Sequence, residues 1–244
     1  MMNITESNIK NLTHLWAIAG KSYDNYIKNH NISYSLVINS QWPNRVWLNN
    51  TPNKEQLLLV KKIINNSNTN LKLVLFESLE NNYSNYIEQN GFFKTSSLPG
   101  MSLHLKNNTF PSSSIIKLKR VNNIKSAKVW CNIFKTCFKY EINELLICRL
   151  MKQTNFYIAF SNVDPIGTVI LHQTNKIAGI HSMGVLPSKR GYGYAKAIML
   201  NILNKATVRG CEYATLQASN MAQHLYRKLG FKIDFKMNHY EIKQ

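Results

Sequence analysis

The chain has 244 residues, a hydrophobic fraction of 44% and a formal net charge of +18 at pH 7. That is length for two small domains or one large one, with apolar material for an ordinary core. No apolar run reaches the roughly 18 residues that cross a bilayer, the start lacks the basic and apolar regions of a secretory signal, and the four cysteines (Cys131, Cys137, Cys148, Cys211) show neither a Cys-x-x-Cys pair nor metal spacing. A cytoplasmic protein with idle thiols and no metal is expected. The charge is lopsided, with 20 of the 30 Lys and Arg but only 6 of the 12 Asp and Glu in residues 111–244. Such a field draws an anionic small ligand, and it suits an acidic protein partner. Nucleic acid is the less favoured partner, since no RNA-binding motif interleaves the basic residues.

Residues 7–29 carry Leu12, Leu15, Trp16 and Ala19 at helical spacing, which predicts one or two helices. Ile32 to Ile38 alternates as a strand does, and Arg45 to Leu48 is a second short strand. Pro52 opens a helix through Leu57, Leu58, Val60, Ile63 and Ile64, and Leu71 to Phe76 is a buried-type strand. Asn81 to Gln89 is a short helix stopped by Asn90-Gly91. Phe92 to Thr95 and Met101 to Leu105 read as two strands around Pro99-Gly100.

The second half repeats the plan. Ile115 to Val121 is a strand, Asn123 to Phe138 a helix, and Tyr140 to Met151 another helix that Glu141 and Glu144 begin. Phe156 to Phe160, Gly167 to His172 and Ile177 to Leu186 are strands, with turns at Asp164-Pro165 and Thr174-Asn175. A helix follows with Ala195, Ile198, Met199, Ile202, Leu203 and Ala206 on one face. Tyr213 to Gln217 is a strand. Asn220 to Leu229 is a helix that Asn220 and Gln223 cap and Gly230 stops. Phe231 to Phe235 and His239 to Ile242 close the sheet.

The stretch from Gly184 to Leu203 organises this plan. A strand, a loop with Gly191 and Gly193, and a helix N-terminus make an anion site, and its natural guest is a phosphate or pyrophosphate. Lys196 stands where a dinucleotide fingerprint needs Gly or Ala, and Gly-Lys-Ser/Thr is absent. Arg190-Gly191-Tyr192-Gly193-Tyr194-Ala195, preceded by Val185-x-Pro187, instead resembles the acetyl-CoA site of the GCN5-related N-acetyltransferases (GNAT). Downstream, Asn220, Tyr226 and Gly230-Phe231 look like the matching region of the same family. The resemblance covers residues 115–244 and implies an α+β fold of the α/β/α-like GNAT kind, with a mixed, mostly antiparallel central sheet flanked by helices.

Asn81, Gly91 and Phe92 lie 139 residues before Asn220, Gly230 and Phe231. This spacing points to two GNAT-like domains in tandem. Residues 1–108 would be a degenerate copy without the phosphate loop, 109–114 a linker, and 115–244 the catalytic domain.

By resemblance, backbone groups of Met183, Gly184 and Val185 pair the pantetheine arm of acetyl-CoA. Amides of Arg190, Gly191, Tyr192, Gly193, Tyr194, Ala195 and Lys196 hold its pyrophosphate, with added charge from Lys189, Arg190 and Lys196. Asn220 bonds the arm, and its other role is a helix cap. Tyr226 stands at the family's general acid, although it also falls on an apolar face with Ala222, Leu225 and Leu229. Many members place a Glu near the position of Gly179, and none is here. His181 takes the base role instead, as in the arylalkylamine acetyltransferases, with its acidic limb expected near the ordinary imidazole pKa of about 6.5. Glu141 and Glu144 are further candidates to bind or deprotonate the acceptor. The expected activity is transfer of acetyl from acetyl-CoA to a primary amine, of a small molecule or a protein, by direct attack in a ternary complex. The alternative is a protein that senses CoA or uses its basic surface without turnover.

Overall fold

The computed structural model describes residues 2–106 and 108–243. The first half runs α1 (Ile4–Lys21), β1 (Tyr26–Lys28), β2 (Ile32–Ser35), β3 (Arg45–Leu48), α2 (Lys54–Asn65), β4 (Lys72–Ser78), α3 (Ser84–Gln89) and β5 (Phe92–His104). The second runs β6 (Lys117–Arg120), α4 (Ile124–Phe138), α5 (Glu144–Leu150), β7 (Asn155–Ser161), β8 (Asp164–Thr174) and β9 (Ile177–Val185). A 3-10 turn (Pro187–Lys189), α6 (Tyr194–Val208), β10 (Tyr213–Gln217), α7 (Gln223–Lys228) and β11 (Lys232–Ile242) complete it.

All eleven strands form one sheet in the order β1-β2-β3-β4-β11-β5-β10-β9-β8-β7-β6. Only β3–β4 and β9–β10 are parallel. The halves exchange their last strands. β5 lies between β10 and β11, and β11 lies between β4 and β5. Each parallel pair is therefore continued by a strand from the other half.

Alternation along the strands builds two apolar layers. Ile170 of β8 and Val74 of β4 join a cluster with Leu15 and Trp16 of α1, Trp130 and Phe134 of α4 and Leu146 of α5. Val169 and Leu171 face Ile198, Ile202 and Leu203 of α6. Leu73 and Leu75 face Leu57 and Val60 of α2. The sheet is thus covered by α1, α4 and α5 on one face and by α2 and α6 on the other.

Four expectations are corrected. β5 is one strand of 13 residues and β11 one of 11, where breaks were expected. Pro99 is tolerated because its nitrogen faces the same side as its carbonyl, which accepts from the Ala218 amide at 2.9 Å just past the last paired residue of β10, so no ladder bond needs the missing N–H. Gly100 is required there, since a Cβ would lie 2.1 Å from the Phe235 ring. Residues 26–28 are a strand rather than the end of a helix. The helix expected from Tyr140 starts at Glu144. Lys139 ends α4 in the left-handed region at φ 65°, and Asn143 caps α5 by accepting from the Leu145 amide. Between them Glu141 is in a loop tied to Gln41 by a Gln41 amide to Glu141 carbonyl bond of 2.9 Å. Finally, α7 starts at Gln223. Asn220 accepts from the Gln223 side chain at 3.0 Å instead of capping the backbone.

Candidate active site

The chain enters α6 through two glycines at positive φ, Gly191 at 88° and Gly193 at 77°. Glycine takes that backbone without strain. Gly193 is the N-cap and brings no side chain. The other helices of twelve or more residues start differently. Asn3, Asn53 and Asn123 each turn a carboxamide oxygen onto a first-turn amide, closing donors that a helix start leaves open. In α6 the first internal bond runs from the Ala197 amide to the Gly193 carbonyl at 3.1 Å. Among the described residues, the amides of Tyr192 to Lys196 have no acceptor. A Cβ at either glycine would meet nothing within 4 Å, so the loop faces open space. Arg190 and Lys196 are exposed beside it. Lys189 is held by Asp164 at 3.1 Å, and Arg190 Nε donates to the Val185 carbonyl at 3.2 Å. Free amides, a helix dipole and two exposed cations fit a pyrophosphate.

The loop follows β9, and β9 is split from its neighbour β10 over its second half. β9 and β10 pair only from Tyr213↔Ile177 to Thr215↔Gly179. Beyond that β9 bends away through a bulge opposite Val169, with Ser182 at φ 49° and its carbonyl held by Thr168 Oγ1 at 3.0 Å. Met183 lines the split, while Gly184 and Val185 remain paired to Thr168 and Gly167. Gly184 also lets α4 approach, since a Cβ would lie 2.9 Å from Cys137 and Phe138 side-chain atoms.

The split opens into a cavity of about 340 Å³ that brings His181 and Tyr226 together. His181 is 8% exposed, and its Nε2 is 3.2 Å from Asn11 Oδ1. The Asn11 amide nitrogen is committed to the His172 carbonyl at 3.0 Å and to Thr174 Oγ1 at 2.8 Å. Its oxygen therefore faces His181 and requires a proton on Nε2. Nδ1 is left with the lone pair. Burial holds the imidazole down at about 4, against the opposing pull of the Gln217 side chain. His181 is thus neutral throughout the physiological range, and the expected limb near 6.5 moves to about 4 because burial disfavours the charged ring.

Gly179 makes this arrangement fit. A Cβ there would lie 1.8 Å from Asn11 Oδ1 and 2.4 Å from His181 Nε2. The position where a Glu was sought is filled by a carboxamide from α1.

Tyr226 is 5% exposed on α7, tilted against Phe231 at 5.8 Å between ring centroids. Burial raises its hydroxyl pKa well above the ordinary value, so it keeps its proton. Met183 also lines this cavity, whereas Asn220, Glu141 and Glu144 lie outside it. Asn220 is exposed and engaged with Gln223. Glu141 binds Lys135 at 2.5 Å on the surface. Glu144 lines none of the cavities described and opens α5.

The lining also includes Arg45 and His239, which sequence reasoning missed, with Tyr140 beside Leu15, Trp16 and Leu98. Burial, then Arg45 and Lys72, hold His239 down at about 3. A second cavity of about 700 Å³ shares Arg45, Lys72 and Tyr140 and reaches Asn39 to Gln41 and Asn68 to Asn70 at the surface. Arg45, Lys72 and Tyr140 are thus common walls of the two cavities. Asn11 had a signal in the sequence: with Asn8 it interrupts the apolar face of α1. Arg45 had none.

Residues 152–233 match the family model described as acetyltransferase (GNAT) domain. Among solved structures, the chain is similar to a GCN5-related N-acetyltransferase from Kribbella flavida, with TM-score 0.72, 15% identity and coverage of 97% of this chain and 96% of that one. It is also similar to one from Sphaerobacter thermophilus (TM-score 0.66, 13% identity, 87% and 76% covered). A third is a GCN5-related N-acetyltransferase-like protein from Streptococcus suis (TM-score 0.56, 13% identity, 97% and 100% covered). No curated protein matches the chain. At these identities the likeness is one of fold, and the mixed, mostly antiparallel sheet flanked by helices that the motifs implied is the fold found. No helix among the described residues is long and apolar enough to cross a membrane.

Proposed function

We propose that this protein is an acetyl-CoA-dependent N-acetyltransferase that acts on a primary amine in a ternary complex. One observation carries the reading: the unpartnered amides of Tyr192 to Lys196 follow directly on β9, the strand that splits from β10 and lines a cavity with a neutral His181 and a protonated Tyr226. Those amides, with Arg190 and Lys196, hold the pyrophosphate. The backbone at Met183 to Val185 steers the pantetheine arm into the split. Acetyl-CoA supplies the thioester. His181 Nδ1 takes the proton that the amine nitrogen releases as its bond to the acetyl carbon forms, directly or through water. The Tyr226 hydroxyl gives its proton to the sulfur as the C–S bond breaks.

The two halves are tandem copies in this reading. In each, a helix leads into the second strand of a parallel pair, a short helix follows, and a long exchanged strand ends the unit. The copies differ where phosphate would bind. Asn53 and Gln56 form a capping box that closes the start of α2, whereas α6 begins bare. One acetyl-CoA site per chain follows.

Calorimetric titration with acetyl-CoA, together with thiol release over a panel of amines, tests this. A stoichiometry near one and turnover with an amine are expected, with binding lost in Gly193→Glu and only weakened in Gly193→Ala, the control for backbone strain. Unchanged affinity in folded Gly193→Glu refutes the phosphate loop. Binding without turnover on any amine leaves a CoA sensor.

A further inference from the structure

We propose that the acceptor is a primary amine that also carries a carboxylate, and that Arg45 receives the carboxylate. The proposal rests on the acetyltransferase reading and names the substrate class of that site.

Arg45 opens β3 in register with Lys72 of the parallel strand β4. Its guanidinium is unusually free for a side chain in the interior of a sheet. Among the described residues it makes one hydrogen bond, Nη1 to the Asn44 carbonyl at 2.9 Å, and no carboxylate lies within ion-pair distance. A guanidinium has five N–H donors, so most of this fork is unspent. The nearby acid is taken: Glu241 binds Lys72 at 2.5 Å. The inner cavity has no Asp or Glu in its lining. The outer one has only Glu141, whose carboxylate is on Lys135.

The site is therefore positive. Arg45 and Lys72 also help to keep His239 neutral, and His239 Nδ1 is 3.0 Å from Ser96 Oγ. In neutral solution an amine is mostly a cation, and this lining would repel it. A carboxylate on the same molecule removes the conflict and fills the fork, for which a planar two-oxygen anion is the natural partner. The same cavity is lined by His181 and Tyr226, which would meet the amine end, and by Trp16, Leu98 and Tyr140. With Lys72 neutralised, Arg45 offers one free positive charge, which matches one carboxylate. A phosphomonoester carries about −1.5 to −2 at pH 7 and would leave charge unmatched.

The test compares amines that differ by the carboxylate alone: phenylalanine with phenethylamine, lysine with cadaverine, 4-aminobutyrate with propylamine. O-Phosphoethanolamine is the phosphate arm. Thiol release gives kcat/KM, and saturation-transfer NMR with CoA present gives binding apart from turnover. The best carboxylated amine should exceed its neutral partner about 10- to 100-fold, the range for a hydrogen-bonded charge. Arg45→Met should erase that ratio mainly through KM and abolish the NMR signal, while Arg45→Lys keeps part of it. Acetyl-CoA affinity and circular dichroism show that each variant is folded. Equal or better use of the neutral partners, a ratio that survives in Arg45→Met, or preference for the phosphorylated amine overturns the proposal. If no amine is acetylated, the acetyltransferase reading falls. The NMR arm then decides Arg45 alone: loss of carboxylate binding in Arg45→Met supports the site, and no binding to wild type refutes it.

Discussion

Acid should unfold this protein well before its carboxylates are protonated, because three histidines are buried as neutral rings. Burial holds His172 down at about 3, helped by His181 and His14. It holds His181 at about 4, and it holds His239 at about 3 with help from Arg45 and Lys72. Each ring is less than a tenth exposed. In the unfolded chain each would take its proton near 6.5. Folded pKa values below unfolded ones mean that the unfolded state binds more protons. The stability tied to these rings is therefore complete above pH 6.5 and is lost as pH falls from there toward 3–4. At pH 5 each ring has forfeited about 2 kcal/mol relative to pH 7. His172 and His181 act on each other, so the three together amount to about 4–6 kcal/mol, a large part of the roughly 5–15 kcal/mol typical of a domain. Urea unfolding followed by circular dichroism at pH 7.5, 6 and 5 should show the midpoint falling steeply, with about two to three protons taken up on unfolding at pH 5. His239→Gln, whose amide can still reach Ser96, should remove about one of those protons. A midpoint that is flat between pH 7.5 and 5 refutes the reasoning.

Nitrogen-15 shifts of His181 should report a neutral Nε2–H ring from pH 8 down to 5.5, and protonation near 6.5 would show that the cavity is wet. Gly179→Ala drives a methyl into Asn11 and His181, so it should cost about 1–3 kcal/mol of stability and lower kcat with little change in acetyl-CoA affinity; an unchanged melting temperature would mean that Asn11 is not held there. Tyr226→Phe should lower kcat by about 10²-fold or more at nearly constant cofactor affinity, and an equal rate leaves the tyrosine a packing role only. A chain that begins after residue 108 loses α1 and β5, so it should fail to fold by circular dichroism and size exclusion, and a compact active fragment would show that the strand exchange is dispensable.

The sequence announced what is local. The turn from β9 through Gly191 and Gly193 into α6 is contiguous chain, and its chemistry is carried by φ angles and bare amides that the residues themselves require. Capped amphipathic helices such as α2 and α4 were legible for the same reason. Long-range pairing was not. Pro99 reads as a break, and the strand runs on because its nitrogen faces past the end of β10, where the Ala218 amide, 119 residues away, bonds its carbonyl. The helix expected from Tyr140 failed because Lys139 takes a left-handed turn that residue type alone does not require. In the site, His181 and Tyr226 were found through the motif, but Asn11 reaches His181 across 170 residues. Arg45 meets the cavity only because β11 carries the first half's sheet against the second.

The exchange of β5 and β11 bears on what the first half contributes. A domain appended by a linker could be lost without harm to its neighbour's sheet. Here β10 has β5 as its partner on the side away from β9, so the strand that borders the split is held in place by the other half. The same crossing brings Trp16, Arg45 and Leu98 into one cavity with His181 and Tyr226. On the proposed reading, the half whose helix start is closed by Asn53 and Gln56 gave up phosphate binding and kept a wall of the acceptor cavity. Changes that preserve the Gly191–Gly193 loop can then alter which amine is accepted, because the residues that meet its far end lie on strands that carry no cofactor. On that reading the loop fixes the donor and the exchanged half fixes the acceptor, and the parallel pair β9–β10 is where the two would meet.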